Sequence, residues 1–173
     1  MPVGGGAGKA VRMFRVSATT VVYRSHHEVW AYIADLDTLR EWDPGVAEVG
    51  WRPPLSVGST FTITLGIGDL RLVGDARITA FEPSRKVGWD STPRLPRWVT
   101  GGGKSHLLGT YLIDAADGET KLTRQFSGEG HGALRMAEPL IAWLARRKRA
   151  DEIANIKRIL EARPDVAGAT SVR

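Results

Sequence analysis

Arg124 carries more chemical content than any other side chain in this sequence. It stands between Leu122 and Phe126 in a stretch that alternates apolar and polar residues, so its guanidinium shares one side of a strand with two hydrophobic neighbours. A guanidinium buried without a partner is costly. It must therefore meet a carboxylate, backbone carbonyls, or an anionic or carbonyl group on a bound molecule, unless a register slip turns it to solvent. Tyr111 lies on the same phase of the preceding strand-like run and can bring its hydroxyl to the same place. Together they form a candidate polar anchor.

Other chemistries are poorly provided for. The chain has no cysteine, which excludes disulfides, thiolate metal sites and a cysteine nucleophile. Of the four histidines, His26 and His27 sit at a helix start, His106 falls on an outward strand phase, and His131 is flanked by glycines. None has metal-ligand spacing and no HExxH occurs, so no metal and no cofactor is assigned. There is no GxSxG elbow and no phosphate-cradling loop; Gly101 to Gly103 lack a strand-to-helix context and read as a hinge. The formal net charge is +5, and Arg146, Arg147, Lys148 and Arg149 are its only dense basic run. Beside Asp151 and Glu152, without interleaved aromatics, that run reads as a solvated helix face, and no nucleic-acid partner is assigned.

These side chains need elements to hold them. With 173 residues, 42% of them hydrophobic, the chain suits one domain with a sizeable core. Residues 1–11, Gly-rich and aperiodic, read as a disordered leader, 12–163 as the domain, and 164–173 as a flexible tail. No run of about 18 apolar residues appears, so stable membrane insertion is not expected and the expected location is the cytoplasm. Phe14, Val16, Ala18, Thr20 and Val22 alternate as the inward face of a first strand. Ser25 can cap a helix carrying Val29, Trp30, Ile33 and Ala34, and Asp37 can start a second short helix ending near Trp42. Six further strand-like runs follow, near 47–52, 59–65, 70–82, 86–91, 104–114 and 120–130, separated by Pro, Gly and Asp turns that imply an antiparallel meander. Their inward phases gather Val49 and Trp51; Phe61, Ile63 and Leu65; Val87 and Trp89; Leu107, Tyr111 and Ile113; and Leu122, Arg124 and Phe126. Residues 92–103, with two prolines and three consecutive glycines, read as a loop in which Gly102 is a hinge beside Leu95 and Trp98, a candidate gate. A last helix runs from Pro139 to about Ala162, stopped by Arg163-Pro164. Ile141 and Leu144 read as off the stripe of Ile153, Ile156 and Leu160, implying a bend or a change of partner. The order leaves an α+β fold with its helices on one side of an antiparallel sheet.

That order, with HHEVWAYIADLDTLREWDPGV after the first strand, VGSTF, ITAFEPSRKVGW and GETKLTRQF, resembles the polyketide cyclase/dehydrase and lipid-transport superfamily (START-like, SRPBCC) over most of residues 13 to 162. The resemblance implies a helix-grip fold: a seven-stranded curved antiparallel sheet around a long C-terminal helix, with two short helices after the first strand and a cavity between sheet and helix. Trp42 would stand where the short helices meet the sheet edge, either as a plug or at the cavity mouth. The implied ligand-binding set is Trp42, Trp51, Phe61, Trp89, Leu107, Tyr111, Arg124, Phe126, Met136 and Leu140. Three readings follow. The first is a monomer or homodimer that binds a small hydrophobic or amphipathic molecule, such as a lipid or polyketide. The second is a cofactor-independent polyketide cyclase, aromatase or dehydratase acting in the same cavity, and the third is a protein presenting a prenylated or quinone lipid near a membrane. These motifs are fold signatures and do not choose among the readings.

Overall fold

In the computed structural model the described residues are 12–67, 70–94, 105–116, 118–129 and 138–164. The expected leader, the expected tail beyond Pro164, and Leu95, Trp98, Gly102 and Met136 lie outside them. The elements are β1 (Arg12–Val22), α1 (His26–Ala34), a 3-10 turn (Leu36–Thr38), α2 (Leu39–Trp42), β2 (Val46–Gly50), β3 (Thr60–Ile67), β4 (Leu70–Glu82), β5 (Lys86–Pro93), β6 (His106–Ala116), β7 (Glu119–Glu129) and α3 (Glu138–Ala162). One antiparallel seven-stranded sheet runs in the order β1-β7-β6-β5-β4-β3-β2. β2 to β7 form the expected meander, and β1 closes onto β7 and leads the chain over the inner face through α1 and α2.

Local chemistry sets the boundaries. Ser25 caps α1 in a reciprocal box, its Oγ accepting from Glu28 N while Glu28 Oε2 accepts from Ser25 N at 3.1 Å. The second helical segment begins earlier than expected: Asp35, not Asp37, is the cap, its Oδ1 accepting from the Asp37 amide at 3.0 Å. Two aspartates two residues apart are equally good capping candidates, and the buried Leu36 decides between them. Asp37 instead accepts the Trp51 indole N–H at 2.7 Å, tying the exit of β2 to the turn.

α3 is continuous from Glu138 to Ala162. Ile141 lies on the inward stripe, contrary to the sequence reading, because Ile141, Ala145, Arg149, Ile153, Ile156 and Leu160 recur at three- and four-residue steps. Ile141, Ala142 and Ala145 pack on a small cluster of Phe14, Val16, Leu107 and Phe126, while Ile156 and Leu160 join the main core. The partner along the helix changes without any break. Leu144 is off the stripe and half-exposed.

Burial on the inner face is uneven. At the end covered by α1 it is sealed: Val22, Ile113, Leu122 and Ile156 are each at most 2% exposed. Towards the other end Phe14, Val16, Phe61 and Ala76 are buried, but the inward side chains Ile63, Leu65, Trp89, Leu107 and Phe126 are only partly so. Between the two regions lies the row Ala18, Arg124, Tyr111 and Val87, paired strand to strand.

Candidate functional site

Arg124 and Tyr111 are directly paired on β7 and β6, and both are fully buried. The partner demanded by the buried guanidinium comes from α3. Arg124 Nε donates to Glu152 Oε1 at 2.9 Å, and its Nη1 donates to the Gln125 carbonyl at 2.6 Å. The Tyr111 hydroxyl donates to the same Glu152 Oε1. One turn earlier on the helix, Arg149 Nη1 lies 2.6 Å from Glu152 Oε2. This is an ion contact without hydrogen-bond geometry, so Glu152 Oε2 has no hydrogen bond among the described residues, and neither has Arg149 Nε.

Aromatic rings wall in the charges. The Arg124 guanidinium lies 4.5 Å from the Trp89 ring centre, 4.7 Å from that of Tyr111 and 5.3 Å from that of Phe126, and Arg149 lies 4.6 Å from Phe126. Trp42 meets the Tyr111 ring edge-on at 5.8 Å, and its indole N–H donates to Thr38 Oγ1. Gly109 makes this stacking possible. A Cβ there would stand 2.6 Å from Trp89 and 2.8 Å from Arg124 Nη1, so any side chain would displace one of them.

Burial drives the Glu152 carboxyl upward, but Arg124, then Arg149 and the Tyr111 hydroxyl, outweigh it, and its pKa ends below the ordinary value. Burial, reinforced by the Glu152 charge, pushes the Tyr111 phenol well above its usual pKa, keeping it a neutral donor. Burial also lowers the Arg149 pKa, although Glu152 opposes this. Arginine stays charged in proteins. The cluster thus holds two cations, one anion and a neutral phenol.

Five of the sequence-derived site residues, Trp42, Trp89, Tyr111, Arg124 and Phe126, meet in this knot. Leu107 adjoins it beside Phe14 and Phe126. Phe61 is buried and Trp51 half-buried further along the inner face. Leu140 is not drawn in: it is 59% exposed at the start of α3.

Sequence reasoning missed Glu152 and Arg149. Arg149 is only 8% exposed, which corrects the reading of the whole basic run as solvated. The signal was available, since both residues fall on the stripe of Ile153, Ile156 and Leu160. A cleft of about 250 Å³ between the α2–β2 turn and α3, lined by residues including Trp42, Leu144 and Glu152, reaches the cluster from outside. Lys148 and Asp43, also in its lining, are paired at 3.2 Å. Two wider grooves lie away from the cluster, one of about 480 Å³ on the outer sheet face around Thr62 and Arg77, the other of about 660 Å³ between β1 and α3. Among the described residues no group of three metal-binding side chains occurs, and no helix is long and apolar enough to cross a membrane.

Solved structures share this architecture. The Zhui aromatase/cyclase from Streptomyces sp. R1128 superposes with a TM-score of 0.73 at 15% identity, over 90% of this chain and 98% of that one. For a hypothetical protein from Helicobacter pylori the TM-score is 0.69 at 11% identity, with 89% and 90% covered. A protein from Thermus thermophilus gives 0.65 at 10% identity, with 86% and 98% covered. Identities this low speak for the fold alone. No curated protein matches. The sequence profile of one family matches residues 13–161, nearly the whole folded region, and the chain accordingly belongs to the polyketide cyclase/dehydrase and lipid transport family.

Proposed function

We propose that the chain binds a small hydrophobic or amphipathic molecule between the inner sheet face and the N-terminal half of α3. One observation carries this reading. Past the Arg124 row the inward apolar side chains Ile63, Leu65, Trp89, Leu107 and Phe126 are only partly buried, beside buried Phe14, Val16, Phe61 and Ala76, whereas Val22, Ile113 and Leu122 on the other side of that row are at most 2% exposed. Apolar surface still partly exposed on a concave face is where an apolar guest gains burial, at about 25 cal/mol per Å² removed from water.

Native mass spectrometry of freshly purified protein tests for a retained guest, and calorimetric titration with methyl naphthoate, a neutral apolar probe, tests the site directly. Leu107→Trp, which fills the half-open region, should weaken probe binding at least tenfold, about 1.4 kcal/mol, while the protein stays folded. Absence of both a retained mass and probe binding, or binding indifferent to Leu107→Trp, overturns the reading.

A second reading, an enzyme that cyclises or dehydrates its guest, is favoured by the polar cluster at the edge of the half-open region. There Tyr111 and two guanidiniums could stabilise charge developing on a substrate oxygen. Turnover of a poly-β-ketone substrate by the purified chain, lost in Tyr111→Phe, would support it.

A further inference from the structure

We infer that the guest carries an anionic oxygen, and that Arg149 on α3 selects it. This rests on the cavity proposed above and names the chemistry of its ligand. Arg124 and Arg149 share one carboxylate in direct contact, so among the described residues one positive charge of the buried cluster has no counter-charge against it. Tyr111 is a neutral phenol and supplies none. Asp43, whose charge also acts on Arg149 from the α2–β2 turn, does not touch it and is held by Lys148 at 3.2 Å and by the Gly45 amide at 2.9 Å. A buried cation in excess is costly unless an anion joins it.

The two cations are not equivalent. Arg124 uses Nε on Glu152 and Nη1 on the Gln125 carbonyl, and is boxed by three rings. Arg149 touches Glu152 through Nη1, while its buried Nε–H has no acceptor among the described residues. Its guanidinium lies against Phe126, which is itself only partly buried and borders the half-open region. An ionised oxygen entering from that side would meet a guanidinium that carries both the uncompensated charge and an unpartnered N–H, and the fork of a guanidinium suits a carboxylate or enolate. Neutral guests of the same shape would leave both unmet. The ligand class is therefore an apolar body bearing one acidic oxygen.

Naphthoate and its methyl ester, titrated into the full chain at neutral pH by calorimetry, share one body and differ by the charge. Wild type should prefer naphthoate by roughly 10- to 100-fold, the scale of one hydrogen bond to a charged group. Arg149→Met should erase the preference while ester binding persists, which also reports that the variant is folded. Arg149→Lys, keeping the charge without the fork, should retain part of the preference and serves if the methionine variant does not fold. Equal affinity of wild type for both probes, or a preference that survives Arg149→Met, overturns this inference and leaves the cavity standing. If neither probe binds, the cavity reading falls and takes the inference with it.

Discussion

Replacing Glu152 with glutamine keeps the side chain's shape and removes the anion shared by two buried cations. Glutamine can still accept from Tyr111 and Arg124 through its oxygen, but its amide would present N–H groups to Arg149, donor against donor. Two guanidiniums would then share a site only 1–3% exposed at Arg124 and Glu152. Stranding a buried charge by removing its partner typically costs about 3–5 kcal/mol. For a chain of this size that lowers the melting temperature by roughly 6–20 °C. Arg124→Met makes the opposite case: Glu152 keeps Arg149, the charges balance one to one, and the methionine stem retains packing against Trp89 and Phe126. Its loss should stay within about 2 kcal/mol, because the lost hydrogen bonds are offset by one fewer desolvated ion. Urea titration and thermal unfolding by circular dichroism, on both variants without ligand, measure the order of effects. If Arg124→Met is as damaging as Glu152→Gln, or Glu152→Gln is within about 1 kcal/mol of wild type, the carboxylate is not the shared counter-charge inferred here.

Acid unfolding should follow the same group. The folded Glu152 pKa lies below its unfolded value, so its contribution is present above the unfolded carboxylate range, near about pH 4.3, and is lost as pH falls through the folded value. A pH series of urea midpoints should steepen on the acid side for wild type and flatten there in Glu152→Gln; identical acid limbs would sink the assignment. Gly109→Ala should destabilise by about 1–3 kcal/mol through overpacking against Trp89 and Arg124, whereas Gly50→Ala, whose Cβ would meet nothing closer than 3.9 Å, should stay within about 0.5 kcal/mol. Equal midpoints for the two variants in the same titration would contradict the packing described.

The sheet was legible because burial on one face imposes period two. Phe14, Val16 and Val22, or Leu122, Arg124 and Phe126, announce their side of the strand one residue at a time. Neighbour order in β2 to β7 followed from the turns. The slip in β4 between Ile78 and Ala80 did not, since nothing in Ile78-Thr79-Ala80 distinguishes a bulged pair from a regular one. The demand of Arg124 for a partner was readable, but its partner was not: Glu152 lies 28 positions away on a helix, and strand alternation says nothing about which helical residue passes above. Composition then misled, because Arg149 looks like part of a charged surface run unless helical phase is followed through it. Gly109 was passed over for a related reason. A glycine has no side chain to mark its phase, although Leu107, Tyr111 and Ile113 fix its side of the strand.

Gly109 and Trp89 are partners across β5 and β6, one absent side chain accommodating one very large one. Gly128 stands in the same relation to Phe14 across β7 and β1, where a Cβ would fall 2.7 Å from the ring's Cζ atom. Each pair is a fixed volume divided unequally between two strands, so neither position can change size alone. Among related sequences the two members should vary in concert, a larger residue at 109 accompanying a smaller one at 89. Because Trp89 also roofs Arg124, that exchange would redraw the space proposed for a guest from the wall inward, giving a lineage a way to reshape it without touching a charged residue.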